Sequence, residues 1–268
     1  MQPILFTIGK FNVYAFGFFL AVSFVFSTFV VWKYAKEEFK EEEYLDTYLY
    51  TAIAGLISAR LVYILLHFSE FGANILRYIL VRETPGLSLF GGMIGAFIYL
   101  WWYTKVKKYN FRKLLDLFAV TISIAMVFIK IGEQLGGASF GKETNSFLGV
   151  KIVGQIGRFH PVELYEAFLY LILSVALIIL YNRTLKKSLP ENTVACLFIL
   201  VSALSIFALE FFKTSTVYWY GLSAKQIGSL LMLVIVLKPF ISRLSIIVKS
   251  YKEEKERRNK DDISHEHT

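Results

Sequence analysis

The sequence predicts an all-α integral membrane protein that crosses a lipid bilayer about seven times. Of its 268 residues, 56% are hydrophobic and 19% are charged, whereas a soluble domain normally carries about 25% charged residues. Apolar runs close to the roughly 20 residues that span a bilayer recur along nearly the whole chain. We therefore expect one transmembrane domain over residues 1–248 and a charged cytoplasmic tail over residues 249–268.

The single cysteine and the first residues each limit what the chain can contain. The single cysteine, Cys196, lies inside an apolar run, which excludes a disulfide within the chain and a multi-cysteine metal site, so we interpret it as a core thiol. The first residues lack a basic start, a short apolar stretch and a cleavage site, so no removable signal peptide is expected.

Hydrophobic patterning places the individual helices. The predicted helices cover residues 14–34, 46–68, 88–104, 114–135, 161–181, 193–212 and 225–244.

The basic residues indicate the orientation of the helices. The net charge is +8, a balance that in a soluble protein would suggest a nucleic-acid partner, but here the cations follow membrane topology. By the positive-inside rule, the C-terminus is cytoplasmic and the N-terminus faces outward. The cations gather after the first, third and fifth helices and in the tail: Lys33, Lys36 and Lys40; Lys105, Lys107, Lys108, Arg112 and Lys113; Arg183, Lys186 and Lys187; Lys249, Lys252, Lys255, Arg257, Arg258 and Lys260.

Two outward segments stand out from the other loops. Within residues 68–87, the stretch 75–80 is apolar and aromatic, which is typical of an amphipathic piece at the membrane interface. Residues 136–160 form a long, glycine-rich, polar segment. Long loops of this kind are usually functional or disordered.

Ionisable residues inside the predicted helices mark candidate functional sites, because a charge at the bilayer centre is costly. Arg60, near the middle of the second helix, either forms a buried ion pair or binds an anionic headgroup. Lys130 and Glu133 share one face of the fourth helix. They either form a salt bridge or bring an ammonium to a phosphate and a carboxylate to a proton. Asp116, at the start of that helix, is expected to cap it.

Two further groups lie at outward helix ends. A proline at a helix start precedes two carboxylates, Glu163 and Glu166. Glu163 stabilises the helix N-terminus in one interpretation; in the other, the same helix end holds an anion with His160 and Arg158 beside it. Glu210 and Lys213 repeat the spacing of opposite charges three apart and are interpreted as an ion pair. Gln226 and Ser229 enter the last helix and could face the same cavity. The sequence thus predicts a site that opens to the outer leaflet and suits an anionic lipid.

Seven motifs in order make the chain resemble bacterial phosphatidylglycerol-prolipoprotein diacylglyceryl transferases over roughly residues 1–240. Each motif alone is weak, but their order and spacing are specific. They are Phe16-Gly17, Ser58-Ala59-Arg60-Leu61, Leu87-Ser88-Leu89-Phe90-Gly91-Gly92, Ile129-Lys130-Ile131-Gly132 running to Gly141, His160-Pro161-Val162-Glu163-Leu164-Tyr165-Glu166, Glu210-Phe211-Phe212-Lys213, and Gln226 to Ser229.

The chain departs from the family pattern at positions to which family activity is usually attributed. Phe90 stands for a histidine, Lys130 and Ile206 stand for arginines, Gly136 for an asparagine and Ser202 for a tyrosine. Lysine keeps the charge of arginine but loses its bidentate geometry. Phenylalanine can neither move a proton nor donate a hydrogen bond.

The resemblance implies an enzyme of the bacterial cytoplasmic membrane. It would join the lipobox cysteine thiol of a prolipoprotein signal peptide to the glyceryl carbon of phosphatidylglycerol and release glycerol phosphate, without a metal or cofactor. Phospholipid binding is assigned to Arg60, Lys130, Gly91 and Gly92. Catalysis is assigned to Lys130, Glu133, His160 and Glu163, with support from Tyr165, Glu166, Glu210, Lys213 and Gln226.

Two alternatives remain open at this point. The departures favour a degenerate member that binds phospholipid or signal peptides without catalysis. A small transporter is the other alternative, since charges inside helices also line permeation paths, but the chain shows neither an internal inverted repeat nor matching broken helices.

Overall fold

A computed structural model describes residues 3–9, 11–38, 41–68, 86–137, 141–152, 155–215 and 217–266. Over these residues the fold is mainly helical, which confirms the predicted class. Two short antiparallel hairpins were not predicted: β1 (Ile4–Ile8) with β2 (Phe11–Tyr14), and β3 (Val217–Trp219) with β4 (Leu222–Ser223). The helices are α1 (Ala15–Glu38), α2 (Glu41–Leu66), α3 (Leu89–Lys107), α4 (Phe111–Gly136), α5 (Val162–Leu185), α6 (Thr193–Leu209), continued by a 3-10 turn (Glu210–Phe212), and α7 (Ala224–Glu266).

Six of the described helices contain a stretch long and apolar enough to cross a membrane, so the protein is a multi-pass membrane protein. The stretches are Ala15–Lys36, Glu42–Leu66, Phe111–Gly136, Val162–Leu185, Thr193–Phe212 and Ala224–Lys252. Helix α3, at 19 residues, is shorter than each of these stretches and carries tyrosines, tryptophans and two lysines. The prediction of about seven spans is thus confirmed for six. The seventh span and the orientation stay predictions, and the stretch 75–80 lies outside the described residues.

The last helix is longer than predicted. It runs from Ala224 to Glu266 and includes Pro239, so the prediction that it ends at residue 244 is wrong. The charged segment after Lys249 is rich in lysine, glutamate and arginine, which are good helix formers. Hydropathy marks where the apolar span ends but gives no reason for the helix to stop there.

The chain divides into two compact units, Thr28–Leu114 and a second unit of Met1–Ser27 with Leu115–Thr268. In Thr28–Leu114, glycines let α3 approach α2 closely. Gly91 lies against the side chain of Val62, and Gly95, four residues on, lies against Ser58. The Ser58 hydroxyl donates to the Gly91 carbonyl at 2.8 Å. Small residues at such spacing are the usual means by which membrane helices pack.

We expect Gly95→Ala to destabilise the protein, because an added Cβ at this position collides with the Ser58 side chain. Overpacking of this kind costs about 1–3 kcal/mol. The matched control is Gly17→Ala, since a Cβ at Gly17 meets nothing within 4 Å. Thermal unfolding in detergent would show a lower midpoint for Gly95→Ala only. Equal midpoints for the two variants would contradict the close packing of α2 and α3.

In the second unit, Asp116 joins two helices that are distant in sequence. Its side chain is completely buried. One carboxylate oxygen accepts the backbone N–H of Asn192 at 2.6 Å and the other accepts that of Ala195 at 2.8 Å. These groups belong to the start of α6, where the N-cap Asn192 makes no side-chain capping bond. The prediction that Asp116 caps its own helix is therefore wrong: it caps α6 from α4.

We expect Asp116→Ala to lower the free energy of unfolding by at least about 1–2 kcal/mol, as for the loss of an N-cap, with a further cost for buried N–H groups left unpaired. Asp116→Asn keeps one acceptor and should lose less. Asp46→Ala, at an exposed position of α2, is the control. The measurement is the unfolding midpoint in detergent. A loss as small for Asp116→Ala as for Asp46→Ala would show that the cap contributes nothing.

Candidate active site

Five charged side chains in the second unit form an alternating chain of ion pairs, referred to below as the ionic chain. Lys130 Nζ lies 2.7 Å from Glu133 Oε2 and 2.8 Å from Glu166 Oε2. Lys213 Nζ lies 2.6 Å from Glu166 Oε1 and 2.7 Å from Glu163 Oε2. The order is therefore Glu133, Lys130, Glu166, Lys213, Glu163, with Glu166 bridging both lysines.

Local structure brings these side chains to one place. Lys130 and Glu133 lie in the last turns of α4 and share a face because they are three residues apart. Glu163 and Glu166 do the same in the first turns of α5. Gly132 lets this end of α4 approach α1, since a Cβ there would lie 2.8 Å from the Cβ of Phe19.

The loop between α4 and α5 fixes Lys213, which follows the 3-10 turn. Gly141 forms an antiparallel bridge with Lys213. The Lys142 N–H donates to the Phe212 carbonyl at 2.7 Å, and the His160 N–H donates to the Lys142 carbonyl at 3.0 Å. A side chain at position 141 would collide with the His160 carbonyl. The described part of the long polar segment is thus ordered and attached to the site.

The ionic chain is buried and carries more carboxylates than ammonium groups. The side chains of Glu163, Glu166 and Lys213 are each 4% exposed and that of Lys130 is 9% exposed, while Glu133, at one end, is 26% exposed. Burial opposes the charged form of Lys213, but the carboxylates of Glu166 and Glu163 outweigh this effect and raise its pKa above the ordinary value. With every group ionised, three carboxylates face two ammonium groups.

Glu210 belongs to a separate polar network, so the predicted ion pair between Glu210 and Lys213 is wrong. Glu210 is buried, and its Oε1 accepts the hydroxyls of Ser215 at 2.7 Å and Ser223 at 3.0 Å. Lys213 instead reaches the carboxylates of α5. Spacing along one segment favoured the pair, but the end of α6 points the two side chains to different partners.

Gln226, a predicted supporting residue, closes a capping box at the start of α7. Its Oε1 accepts the Ser223 N–H at 2.9 Å, and its own N–H donates to Ser223 Oγ at 3.3 Å. Serine followed three residues later by glutamine is a known helix-start signature. The sequence therefore held a signal for this role, and sequence reasoning missed it. Ser229, one turn further, is also completely buried.

His160 lies just before α5 and contacts aromatic residues. Its Nδ1 is 3.3 Å from the Tyr165 hydroxyl, and its ring packs edge-on against Phe212 at 5.3 Å. The structure thus brings together two residues that were predicted separately, His160 as catalytic and Tyr165 as supporting. The catalytic role of His160 stays a prediction.

Arg60, Gly91 and Gly92 belong to the unit Thr28–Leu114. The Arg60 guanidinium donates to the Gly86 carbonyl at 3.1 Å. A Cβ on Gly91 would meet Val62, and one on Gly92 would lie 3.2 Å from the Cβ of Ala59, so both glycines serve the packing of α3 on α2. The assignment of these three residues to phospholipid binding stays a prediction.

Two positions that depart from the family pattern lie on α6. Ser202 and Ile206 are both buried. They are four residues apart and share one face of the helix. A third such position is Lys130, which stands for the signature arginine and is held by two carboxylates in the ionic chain.

The core thiol predicted for Cys196 is confirmed, because this side chain is buried.

These features define a multi-pass membrane protein with a buried ionic site. The sequence model of the prolipoprotein diacylglyceryl transferase family matches residues 3–241, and the chain belongs to this family. It is similar to proteins named phosphatidylglycerol--prolipoprotein diacylglyceryl transferase. The one from Clostridioides difficile is 27% identical over 86% of this chain and 91% of the relative, and the one from Rickettsia bellii is 30% identical over 80% of this chain and 82% of the relative. A third relative, phosphatidylglycerol--prolipoprotein diacylglyceryl transferase 1 from Clostridium perfringens, is 28% identical over 88% of this chain and 92% of the relative.

The ionic chain predicts a non-additive response to mutation. Lys213→Met should destabilise the protein by about 3–5 kcal/mol, because it leaves buried carboxylates without their cation. Adding Glu163→Gln removes one uncompensated charge, so the double variant should unfold at a higher temperature than Lys213→Met alone. The measurement is thermal unfolding in detergent. Lys142→Met, at an exposed neighbouring lysine, should change nothing, and strictly additive losses would contradict the pairing of Lys213 with Glu163.

Proposed function

We propose that the protein transfers the diacylglyceryl group of phosphatidylglycerol to the lipobox cysteine thiol of a prolipoprotein, the first step of lipoprotein maturation, in a bacterial cytoplasmic membrane. The thiol loses its proton and the sulfur attacks the glyceryl carbon. The bond from that carbon to the phosphate oxygen breaks, and glycerol phosphate leaves with the electron pair. A thioether forms. Membership of the family and the names of the relatives support this assignment.

The excess of carboxylates in the ionic chain supports a role for Glu133 as the proton acceptor. The thiolate is the effective nucleophile, so a base must take the thiol proton. Glu133 is the most exposed carboxylate of the ionic chain, at 26%, and ends it. If Glu133 takes a proton, two carboxylates remain for two ammonium groups and the buried charge is balanced.

The same balance changes the role proposed for Lys130. An added phosphate would increase a negative charge that already exceeds the positive charge of the ionic chain. The geometry therefore supports Lys130 as a positioning residue that holds Glu133 and Glu166, rather than as the main phosphate ligand. Arg60 remains the proposed headgroup ligand, because a guanidinium can bind phosphate oxygens in pairs.

Aromatic and basic residues at helix ends support the proposed orientation. Lys36 Nζ lies 4.1 Å from the centre of the Trp32 ring at the end of α1, and Lys105 Nζ lies 3.7 Å from that of Trp101 at the end of α3. Tryptophan is enriched at membrane interfaces and lysine on the cytoplasmic side. Both pairs lie at helix ends that are proposed to face the cytoplasm.

Activity is tested by incubating the purified protein with labelled phosphatidylglycerol and a lipobox peptide. Glu133→Gln should lower the turnover rate by about 100-fold or more, as for the loss of a general base. Its residual rate should rise with pH up to the thiol pKa of about 8.5, because solvent then supplies the thiolate. The control is Glu143→Gln, at an exposed loop position. A wild-type rate and pH profile for Glu133→Gln would rule out Glu133 as the base.

Lys130 variants separate positioning from charge alone. Lys130→Ala should abolish transfer, whereas Lys130→Arg keeps the cation and should retain part of the turnover. A failure of the unsubstituted protein to label the peptide, together with bound phospholipid in native mass spectra, would favour the second candidate function. That candidate is a lipid-binding member without catalysis, and it is favoured by the departures at Phe90, Lys130 and Ile206.

A further inference from the structure

The loop between α4 and α5 carries large apolar side chains on its surface. Phe147 is 87% exposed, Leu148 is 50% exposed and Ile156 is 98% exposed. Ile152, in the same loop, is buried at 6%. The loop therefore has an interior, and these three side chains are outside it. Apolar groups placed in this way indicate a surface that contacts lipid or another molecule.

Backbone hydrogen bonds fix the chain beside the exposed side chains. Phe147 and Leu148 lie in a turn closed by the Gly149 N–H on the Ser146 carbonyl at 3.0 Å. Ile156 directly follows Gln155, whose N–H donates to the Ile152 carbonyl at 3.2 Å. Val150 and Phe159 exchange two backbone bonds, at 3.0 and 2.9 Å. The apolar tips are thus presented by a fixed framework.

The same loop also exposes cations. Lys142, Lys151 and Arg158 are all exposed, and Glu143 is the one exposed carboxylate in the described part of residues 141–160. Apolar side chains flanked by lysine and arginine match the boundary between acyl chains and anionic headgroups.

The attachment of the loop limits what it can reach. It leaves α4 at Gly136 and enters α5 at Val162, and both helices contain membrane-spanning stretches. Its described ends are also fastened to Phe212 and Lys213, at the end of the span Thr193–Phe212. Because these attachments lie at the ends of membrane-spanning segments, the loop lies at a membrane surface.

We propose that this loop docks on the bilayer, with Phe147, Leu148 and Ile156 inserted at the acyl boundary and Lys142, Lys151 and Arg158 on the phosphates of anionic phospholipids. This role is additional to the transfer reaction and requires no turnover. It would concentrate an anionic lipid beside the ionic chain, to which the loop is attached through Lys213.

Spin labels at single cysteines test the docking in full-length protein in nanodiscs. Phe147→Cys and Ile156→Cys are labelled, with Ser188→Cys, an exposed polar position in the loop between α5 and α6, as the control. Cys196 is buried and is left in place. Labels at 147 and 156 should collide more with oxygen than with a water-soluble nickel chelate, and the label at 188 should show the reverse. Labels at 147 and 156 as open to the chelate as that at 188 would overturn the proposal.

Lipid charge and peptide separate the remaining outcomes. Protection at 147 and 156 should be stronger in nanodiscs that contain phosphatidylglycerol than in pure phosphatidylcholine, and the triple change Lys142→Gln, Lys151→Gln and Arg158→Gln should remove the difference. Equal protection in both lipids would overturn the anionic preference. Protection that appears only after a lipobox peptide is added would overturn docking on lipid in favour of peptide binding. No outcome depends on transfer activity, so a failure here is distinct from a failure of the proposed function.

Discussion

The structure of the second unit depends on the pairing of buried charges. A lone charge removed from water costs several kcal/mol, and breaking one buried pair leaves that cost uncompensated. In the ionic chain, Glu166 on α5 holds Lys130 on α4 with one oxygen and Lys213 after α6 with the other. This one carboxylate therefore sets the relative positions of three segments. The loop bonds around Gly141 and Phe212 keep Lys213 where Glu166 can reach it.

Helix α4 is held near both of its ends by polar contacts to other helices. Near its start, Asp116 accepts the first backbone N–H groups of α6. Near its end, Lys130 binds Glu166 of α5. The apolar faces of membrane helices gain little from packing against one another, because lipid tails are as apolar as leucine. Polar contacts of this kind define a helix position that apolar packing would leave loosely specified.

The charge count of the ionic chain connects its structure to the proposed chemistry. A fully paired site with equal numbers of cations and carboxylates has no need for a proton. Three carboxylates around two ammonium groups can take one proton, and Glu133, the more exposed of the two terminal carboxylates, is the proposed acceptor. The departures from the family pattern matter less for such a step than for phosphate binding, because Lys130 still supplies the cation that holds Glu133.

The sequence by itself determined the membrane class, six of the spans, the core cysteine, the family resemblance and the residues from which the site is built. These follow from composition, periodicity and short motifs, which are properties of one segment at a time. Only the tertiary structure decided the partners. Lys213 bonds to Glu163 and Glu166 rather than to Glu210, and Asp116 caps α6 rather than its own helix. Spacing along a helix shows which side chains share a face, but the helix that packs against that face supplies the partner.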